Sequence, residues 1–158
     1  MSLQEEHWPI LADALARHLP QFRSLKNVTQ LTAGASLETY RLDVELKNGL
    51  AALALRRTPG GAAKLSDRAT PSLEVEAKLI RVARDHGVPE PGIHFVLEEA
   101  DGLGQGFVME WLDGETLGGR IVRSEALADA RPRLARQCGE ILGRIHSIDI
   151  TATGLKPF

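Results

Sequence analysis

The sequence predicts an α+β fold: a five-stranded antiparallel sheet with a helix packed against it, followed by a helical region. Three observations lead to this class. Apolar and charged residues alternate over residues 42–47, which is the period of a half-buried strand. Asn48-Gly49 follows, a dipeptide that strongly favours a hairpin, and then a second apolar run begins. Towards residue 146, apolar residues recur at helical spacing, which predicts a long helix that begins near residue 126 or 131.

Length and composition are those of a globular protein with one domain or slightly more. The 158 residues are 43% hydrophobic and 25% charged, with a formal net charge of -2. This charge argues against nucleic acid or an anionic membrane as the main partner. The single Cys138 excludes an intramolecular disulfide, and no apolar run reaches the roughly 18 residues of a membrane span. Because no signal peptide is recognisable, we expect a cytoplasmic location.

Residues 1–21 predict an amphipathic helix, since apolar residues recur there at helical spacing between two prolines. A first strand is expected over residues 26–32. It leads into a loop of small residues, among them Gly34, Ala35 and Ser36. Such a loop lets the backbone approach a ligand and offer it N–H groups.

The returning strand of the hairpin, residues 50–57, is apolar until it ends in two arginines. Alternate residues of a strand face opposite sides of the sheet. Arg56 therefore points the same way as Ala54 and Ala52, whereas Arg57 points the same way as the leucines between them.

The stretch from residue 58 to residue 72 has turn residues at both ends and no apolar periodicity. We expect a mobile loop there, above all over residues 60–70. Thr70-Pro71 then favours the start of a helix that runs to about His86, with Gly87 as its stop signal.

One apolar stripe of this helix, made by residues 73, 77 and 80, also carries Glu76. A carboxylate on a stripe that faces the core is costly unless it finds a cation. Because strand parity turns Arg56 inward, we predict an ion pair between Arg56 and Glu76, with Arg57 outside it.

Two further strands, over residues 93–98 and 106–111, complete the predicted sheet, with a turn at residues 100–102 between them. A glycine pair at residues 118–119 interrupts the chain before the long helix. The predicted apolar side of that helix consists of Leu134, Cys138, Ile141, Leu142 and Ile145.

Four of these features can together form a nucleotide pocket. The small-residue loop would cover phosphates with backbone N–H groups, and Arg56 would neutralise phosphate charge. Glu76 would hold Arg56 in place, and the extended segment after the fifth strand would pair with the edge of a base. Each signal is weak alone, so their order along the chain carries the hypothesis.

In this order the chain resembles the aminoglycoside phosphotransferase-like kinases, which have a protein-kinase-like fold, and most of all the phosphotransferase domain attached to some acyl-CoA dehydrogenases. The resemblance extends over nearly the whole chain. It is carried by five stretches: residues 31–40 (LTAGASLETY), 53–60 (LALRRTPG), 76–80 with 87–91 (EAKLI and GVPEP), 107–115 (FVMEWLDGE) and 139–146 (GEILGRIH).

The resemblance implies roles for single residues. Arg56 stands where these kinases usually have the phosphate-binding lysine, and Glu76 stands at its ion-pair partner. Met109 stands at the gatekeeper position beside the adenine. Two departures from the family pattern are the arginine in place of lysine and the apolar Leu37 in the loop, where many relatives have a polar residue.

The remaining implied contacts concern the adenine. The carbonyl of Glu110 and the N–H of Leu112 would bind its edge, and Ala54 would form the roof of the pocket. The resemblance divides the chain into the helix of residues 1–21, an amino-terminal lobe over 22–108, a hinge over 109–117 and the start of a helical lobe over 118–158.

The implied activity is transfer of the γ-phosphate of ATP to the hydroxyl of a small molecule, with Mg²⁺. The family's catalytic His-Gly-Asp motif and its metal ligands are expected beyond residue 158, since no histidine here precedes Gly-Asp. We therefore assign no catalytic or metal-binding residue and expect the chain alone to be inactive. Two alternatives stay open: a non-catalytic interaction module, and an unrelated α+β ligand-binding domain.

The resemblance also bears on self-association. The long helix would normally pack against further helices of the second lobe, so part of its apolar stripe should be exposed in this chain. Large exposed apolar patches tend to be covered by another copy. We expect a homodimer built through this helix.

Overall fold

The computed structural model describes residues 3–31, 37–61 and 71–154, and it has the predicted α+β architecture. Its five strands form one antiparallel sheet in the order β1-β2-β3-β5-β4. The strands are β1 (Phe22–Gln30), β2 (Glu38–Leu46), β3 (Gly49–Arg57), β4 (Ile93–Val96) and β5 (Gly106–Glu110). The α-helices are α1 (Trp8–His18), α2 (Leu73–Asp85), α3 (Gly118–Arg123) and α4 (Arg131–His146).

The chain divides into two compact units. The first, Met1–Arg81 with Pro91–Trp111, contains the sheet, α1 and most of α2. The second, Val82–Glu90 with Leu112–Phe158, contains the end of α2 together with α3 and α4.

The predicted hairpin between β2 and β3 is present, but its turn is centred one residue earlier than Asn48-Gly49. Leu46 lies opposite Gly49, so Lys47 and Asn48 are the two central residues. Gly49 has a φ of 125°, and no non-glycine residue in the described part of the chain has a positive φ. A type I′ turn would have required positive φ at both central residues. The glycine, which has no Cβ, adopts the unusual φ instead.

One face of the sheet packs against α1. The largest apolar cluster contains residues from that helix and alternate residues of β2 and β3, including Leu11, Leu15, Leu42, Leu53 and Leu55, which are at most 4% exposed. The predicted parity of β3 is therefore confirmed for its leucines.

The opposite face packs against α2. Leu73 and Ala77 of that helix are fully buried together with Phe107 of β5, and Ile80 packs against them. This confirms the predicted apolar stripe. Leu37 joins the same cluster, which gives a physical reason for an apolar residue at a position where a polar one was the family expectation.

The helix α2 begins at Leu73, later than the predicted start at Thr70-Pro71. Ser72 caps it, since its Oγ accepts a hydrogen bond from the N–H of Val75 at 3.3 Å. Its end is as predicted. Gly87 has a φ of 78°, and the N–H of Val88 donates to the carbonyl of Ala83 at 3.0 Å, the pattern of a Schellman motif.

In the second unit, α4 contains no buried residue. Leu142 is 51% exposed and Ile145 is 42% exposed, so its apolar stripe is open in this chain. Arg144 of α4 donates to the carbonyl of Gly87 at 2.6 Å. Among the described helices, none is long and apolar enough to cross a membrane.

Two predicted features lie wholly or mainly outside the described residues. One is the small-residue loop with Gly34, Ala35 and Ser36, and the other is residues 62–70 of the loop that we predicted to be mobile.

Candidate functional site

The candidate site lies on the face of the sheet that α2 covers. Strand pairing places Ala54 opposite Met109 and Arg56 opposite Phe107. Paired residues of neighbouring strands project to the same face. Because Phe107 and Met109 both belong to the apolar cluster under α2, Ala54 and Arg56 face that side as well.

The predicted ion pair between Arg56 and Glu76 is confirmed. The Nε atom of Arg56 lies 3.0 Å from Oε1 of Glu76, and the two side chains are 35% and 32% exposed. The Arg56 Nε is itself buried and makes no hydrogen bond to any residue that the structure describes. The pair is thus a contact of opposite charges without an aligned hydrogen bond, and solvent reaches part of both side chains.

Arg57 lies outside this pair, as predicted. It is only 4% exposed. Its Nη2 lies 2.9 Å from Oε2 of Glu38, and its Nη1 donates to the carbonyl of Leu103 at 3.3 Å. Its guanidinium also lies over the ring of Tyr40, with the Cζ 5.7 Å from the ring centroid. The side chains of the neighbouring residues Arg56 and Arg57 therefore lie on opposite faces of one sheet.

Sequence reasoning missed Glu38, the partner of Arg57. Burial raises the pKa of Glu38, but hydrogen bonds from Gly60, Tyr40 and Arg57 and the charge of Arg57 outweigh it, so the pKa lies below its ordinary value. The Gly60 N–H donates at 3.1 Å and so ties the segment after β3 to β2. The observed hairpin register places Glu38 opposite Arg57, whereas a turn centred on Asn48-Gly49 would have placed Tyr40 there.

A second carboxylate that sequence reasoning missed is Asp101, in the predicted turn between β4 and β5. It is 2% exposed and contacts Arg17 and His18 at the end of α1. The His18 ring stacks on Phe95 at a centroid distance of 4.3 Å. This cluster fixes α1 to the sheet on the face opposite the candidate site.

The predicted hinge begins at the end of β5. The N–H of Glu110 donates to the carbonyl of Gly92 at 2.7 Å, and its carboxylate accepts from the N–H of Gly92 at 3.0 Å. Both the backbone and the side chain of Glu110 are therefore hydrogen-bonded to Gly92. Leu112 belongs to the second unit and is 54% exposed. The adenine contacts of these two residues stay predictions.

No metal-binding cluster is found among the residues that the structure describes. In residues 3–31, 37–61 and 71–154, no three side chains of His, Cys, Asp or Glu come together as a metal-binding group.

Comparison with known families decides the family. The sequence model of the phosphotransferase enzyme family matches residues 27–157, which run from β1 to beyond α4. The chain belongs to the phosphotransferase enzyme family. A search of curated proteins finds no match.

Membership in the phosphotransferase enzyme family supports the resemblance to aminoglycoside phosphotransferase-like kinases, and the α+β structure agrees with the amino-terminal lobe of such a kinase. It also excludes the alternative of an unrelated α+β ligand-binding domain. The match includes all the candidate residues, from the small-residue loop to the hinge.

Proposed function

We propose that this chain holds the nucleotide of a phosphotransferase that moves the γ-phosphate of ATP to a hydroxyl group of a small molecule. The observation that carries the proposal is the Arg56–Glu76 contact, 3.0 Å between Nε and Oε1, on the sheet face that also carries Ala54 and Met109. A cation held by a carboxylate beside a small apolar surface suits a phosphate joined to a planar base.

Arg56 is suited to phosphate binding in a way that differs from lysine. A guanidinium has five N–H donors in a fixed plane, whereas an ammonium is a compact charge. Glu76 approaches the Nε side of Arg56, so the Nη groups are the donors that would contact phosphate oxygens. The half-exposed position of the pair leaves both partners accessible to a ligand from solvent.

The other proposed contacts follow the family resemblance. Ala54, opposite Met109 in the sheet, would leave room for the base, and Met109 would border it as the gatekeeper. The carbonyl of Glu110 and the N–H of Leu112 would bind the adenine edge. The N–H groups of the loop at Gly34, Ala35 and Ser36 would cover the phosphates.

Residues 22–108 would form the nucleotide-binding lobe, 109–117 the hinge and 118–158 the first part of a helical lobe. ATP with Mg²⁺ would be the phosphoryl donor, and the chain would reside in the cytoplasm. Its nearest resemblance would be to the domain attached to acyl-CoA dehydrogenases. By itself it would position ATP without transferring phosphate, because no described residue is assigned to orient the acceptor hydroxyl.

Calorimetric titration with Mg-ATP tests the proposal. We expect the wild-type chain to bind ATP, and ATP to raise its melting temperature, because a ligand that binds only the folded state stabilises it. Arg56→Ala should weaken binding by tenfold or more, since a hydrogen bond to a charged group is worth about 1.5–3 kcal/mol. Arg81→Ala, which removes an exposed arginine of α2, is the charge-matched control and should bind as the wild type does.

A wild-type chain that binds no ATP, or an Arg56→Ala variant with unchanged affinity, would contradict this function. If the full-length product of the gene also binds ATP but phosphorylates no hydroxyl compound, a non-catalytic interaction module is favoured instead.

We also propose a homodimer through α4, supported by the exposure of Leu142 and Ile145. Light scattering at micromolar concentration should give twice the 17.2 kDa mass of one chain. Leu142→Glu should return it to one chain mass, because a buried unpaired charge is unfavourable in an apolar interface. A single-chain mass for the wild type rules the dimer out.

A further inference from the structure

Arg56 is the last residue but one of β3, and it lies close to the point where the strand leaves the sheet. Pairing with β2 ends where Arg57 lies opposite Glu38, and pairing with β5 ends at Arg57 as well. On the β5 side one further hydrogen bond follows, from the N–H of Thr58 to the carbonyl of Gln105 at 2.9 Å. The ends of strands open most readily. The position of Arg56 therefore depends on what holds this end of β3.

The carboxylate of Glu38 holds the β2 side of this end. Its Oε2 accepts hydrogen bonds from the Nε of Arg57 and from the hydroxyl of Tyr40, each at 2.9 Å. Its Oε1 accepts from the N–H of Gly60 at 3.1 Å. One side chain thus binds both the residue that follows Arg56 and the segment that follows β3.

Arg57 has little freedom to move. Its Nη1 donates to the carbonyl of Leu103 at 3.3 Å, and its guanidinium lies over the ring of Tyr40. On the other side β5 approaches closely: a Cβ added to Gly106 would lie 2.8 Å from the Cβ of Arg57 and 2.6 Å from the carbonyl oxygen of Arg56. Because a close-packed interior transmits strain, a shift of Arg57 also shifts the backbone of Arg56.

Tyr40 orients the Glu38 carboxylate. The tyrosine is 1% exposed, and its hydroxyl accepts from the N–H of Leu3 at 3.0 Å while it donates to Glu38. The amino-terminal segment is thereby joined to the same carboxylate. Leu3, Tyr40, Glu38 and Arg57 form what we call the Glu38 network, which lies on the sheet face opposite the proposed phosphate contact.

The side-chain contact of Arg56 does not by itself fix the direction of its guanidinium. Glu76 lies 3.0 Å from the Nε of Arg56, yet that Nε makes no hydrogen bond to any described residue. A guanidinium binds phosphate through N–H donors that lie in one plane, so affinity depends on where the plane points. The backbone of Arg56 must therefore supply part of this orientation.

We propose that Glu38 is a positioning residue for the phosphate contact. Through Arg57 and Gly60 it holds the end of β3, and so it sets where the guanidinium of Arg56 lies. This proposal rests on the proposed function and deepens it, because it makes ATP affinity depend on a carboxylate that lies on the opposite face of the sheet.

Calorimetric titration of ATP and of adenosine into wild type and Glu38→Gln tests the proposal. Glu38→Gln should weaken ATP by about tenfold, since a misplacement of about 1 Å in a positioned group costs up to about a hundredfold. It should leave adenosine, which has no phosphate, unchanged. Glu45→Gln is the matched control, because the same change on the same strand removes a half-exposed carboxylate that pairs with Lys26. This control should bind both ligands as the wild type does.

A double-mutant cycle separates positioning from a loss of structure. In an Arg56→Ala background, Glu38→Gln should have no further effect on ATP, because the guanidinium through which it acts is absent. A general loosening of the fold would weaken adenosine as well and would add to the effect of Arg56→Ala. Tyr40→Phe removes one hydroxyl and keeps the ring, so it should weaken ATP with the same selectivity but by a smaller factor.

The outcomes are distinguishable. If Glu38→Gln binds ATP as tightly as the wild type, weakens ATP and adenosine alike, or weakens ATP equally with and without Arg56, the inference is overturned and the proposed function stands. If Glu38→Gln does not fold, the same comparisons with Tyr40→Phe decide. A wild-type chain that binds no ATP contradicts the proposed function, and the inference fails with it.

Discussion

Arg56 and Arg57 are neighbours in the sequence, yet the sheet gives them opposite environments. Arg57 is 4% exposed and contacts Glu38 and a backbone carbonyl beneath the α1 face. The side chain of Arg56 is 35% exposed, and its contact with Glu76 contains no aligned hydrogen bond. A satisfied buried pair stabilises the fold that surrounds it, whereas a half-exposed pair remains accessible to a ligand.

The two pairs should therefore contribute unequally to stability. Removing one partner of a buried ion pair leaves an uncompensated charge away from water and costs about 3–5 kcal/mol. An exposed or half-exposed pair is screened by solvent and is worth about 0–1 kcal/mol. The difference gives four tests, which follow from the largest expected effect to the smallest.

Arg57→Ala should lower the free energy of unfolding by about 3–5 kcal/mol, because the Glu38 side chain, only 14% exposed, would keep its charge without its cation. Denaturant titration monitored by circular dichroism measures this. Arg81→Ala, which removes an exposed arginine, is the control and should stay within about 0.5 kcal/mol of wild type. A loss below 1 kcal/mol for Arg57→Ala would mean that the two pairs do not differ.

Glu38→Gln should lower stability by about 1.5–3 kcal/mol at neutral pH, the usual worth of hydrogen bonds to a charged group. The pKa of Glu38 is lower in the folded chain than its ordinary value of 4.5. Its charge therefore stabilises the fold above that value, and this contribution is lost as the pH falls through the folded-state pKa.

The difference in stability between wild type and Glu38→Gln should accordingly be largest near neutral pH and shrink below about pH 4.5. Thermal melts between pH 3 and pH 7 measure it. A constant difference over that interval would show that the Glu38 charge makes no contribution.

Gly106→Ala should perturb both pairs, because its new methyl group would lie 2.6 Å from the carbonyl oxygen of Arg56 and 2.8 Å from the Cβ of Arg57. Such overpacking costs about 1–3 kcal/mol. Gly114→Ala is a matched control, since nothing lies within 4 Å of the added atom. Equal melting temperatures for the two variants would contradict the tight approach of β5 to β3.

Arg56→Ala should change the free energy of unfolding by less than about 1 kcal/mol, although it should weaken ATP binding strongly. Denaturant titration and calorimetry on one preparation measure both. A variant that loses several kcal/mol of stability would place Arg56 with Arg57 as a structural residue, and the comparison would then fail.

Much of the candidate site could be predicted because its signals are local. The alternation along β3 predicted which way Arg56 points, and the stripe of α2 predicted that Glu76 would need a cation. The sequence signal that ends α2 at Gly87 was equally local, since the αL position after a helix favours glycine. The order of these elements supplied the family resemblance.

Other features depended on which segments meet. The predicted start of α2 was wrong. Thr70-Pro71 and Ser72 are both suitable near a helix start, and the sequence alone does not show which of them caps the helix. The hairpin was predicted correctly while its turn centre was one residue off, since strand register decides which residues face each other across the turn.

What the sequence alone determined is the set of properties with short periods: strand alternation, helix stripes, glycine stops, and through them the fold class and the Arg56–Glu76 contact. What only the tertiary structure decided is the partner of each buried charge, namely Glu38 with Arg57 and Asp101 with Arg17 and His18. The physical reason is that a buried charge can be neutralised by any opposite charge that folding brings within a few ångströms. Distance along the chain does not specify that neighbour, whereas strand register and helix packing do.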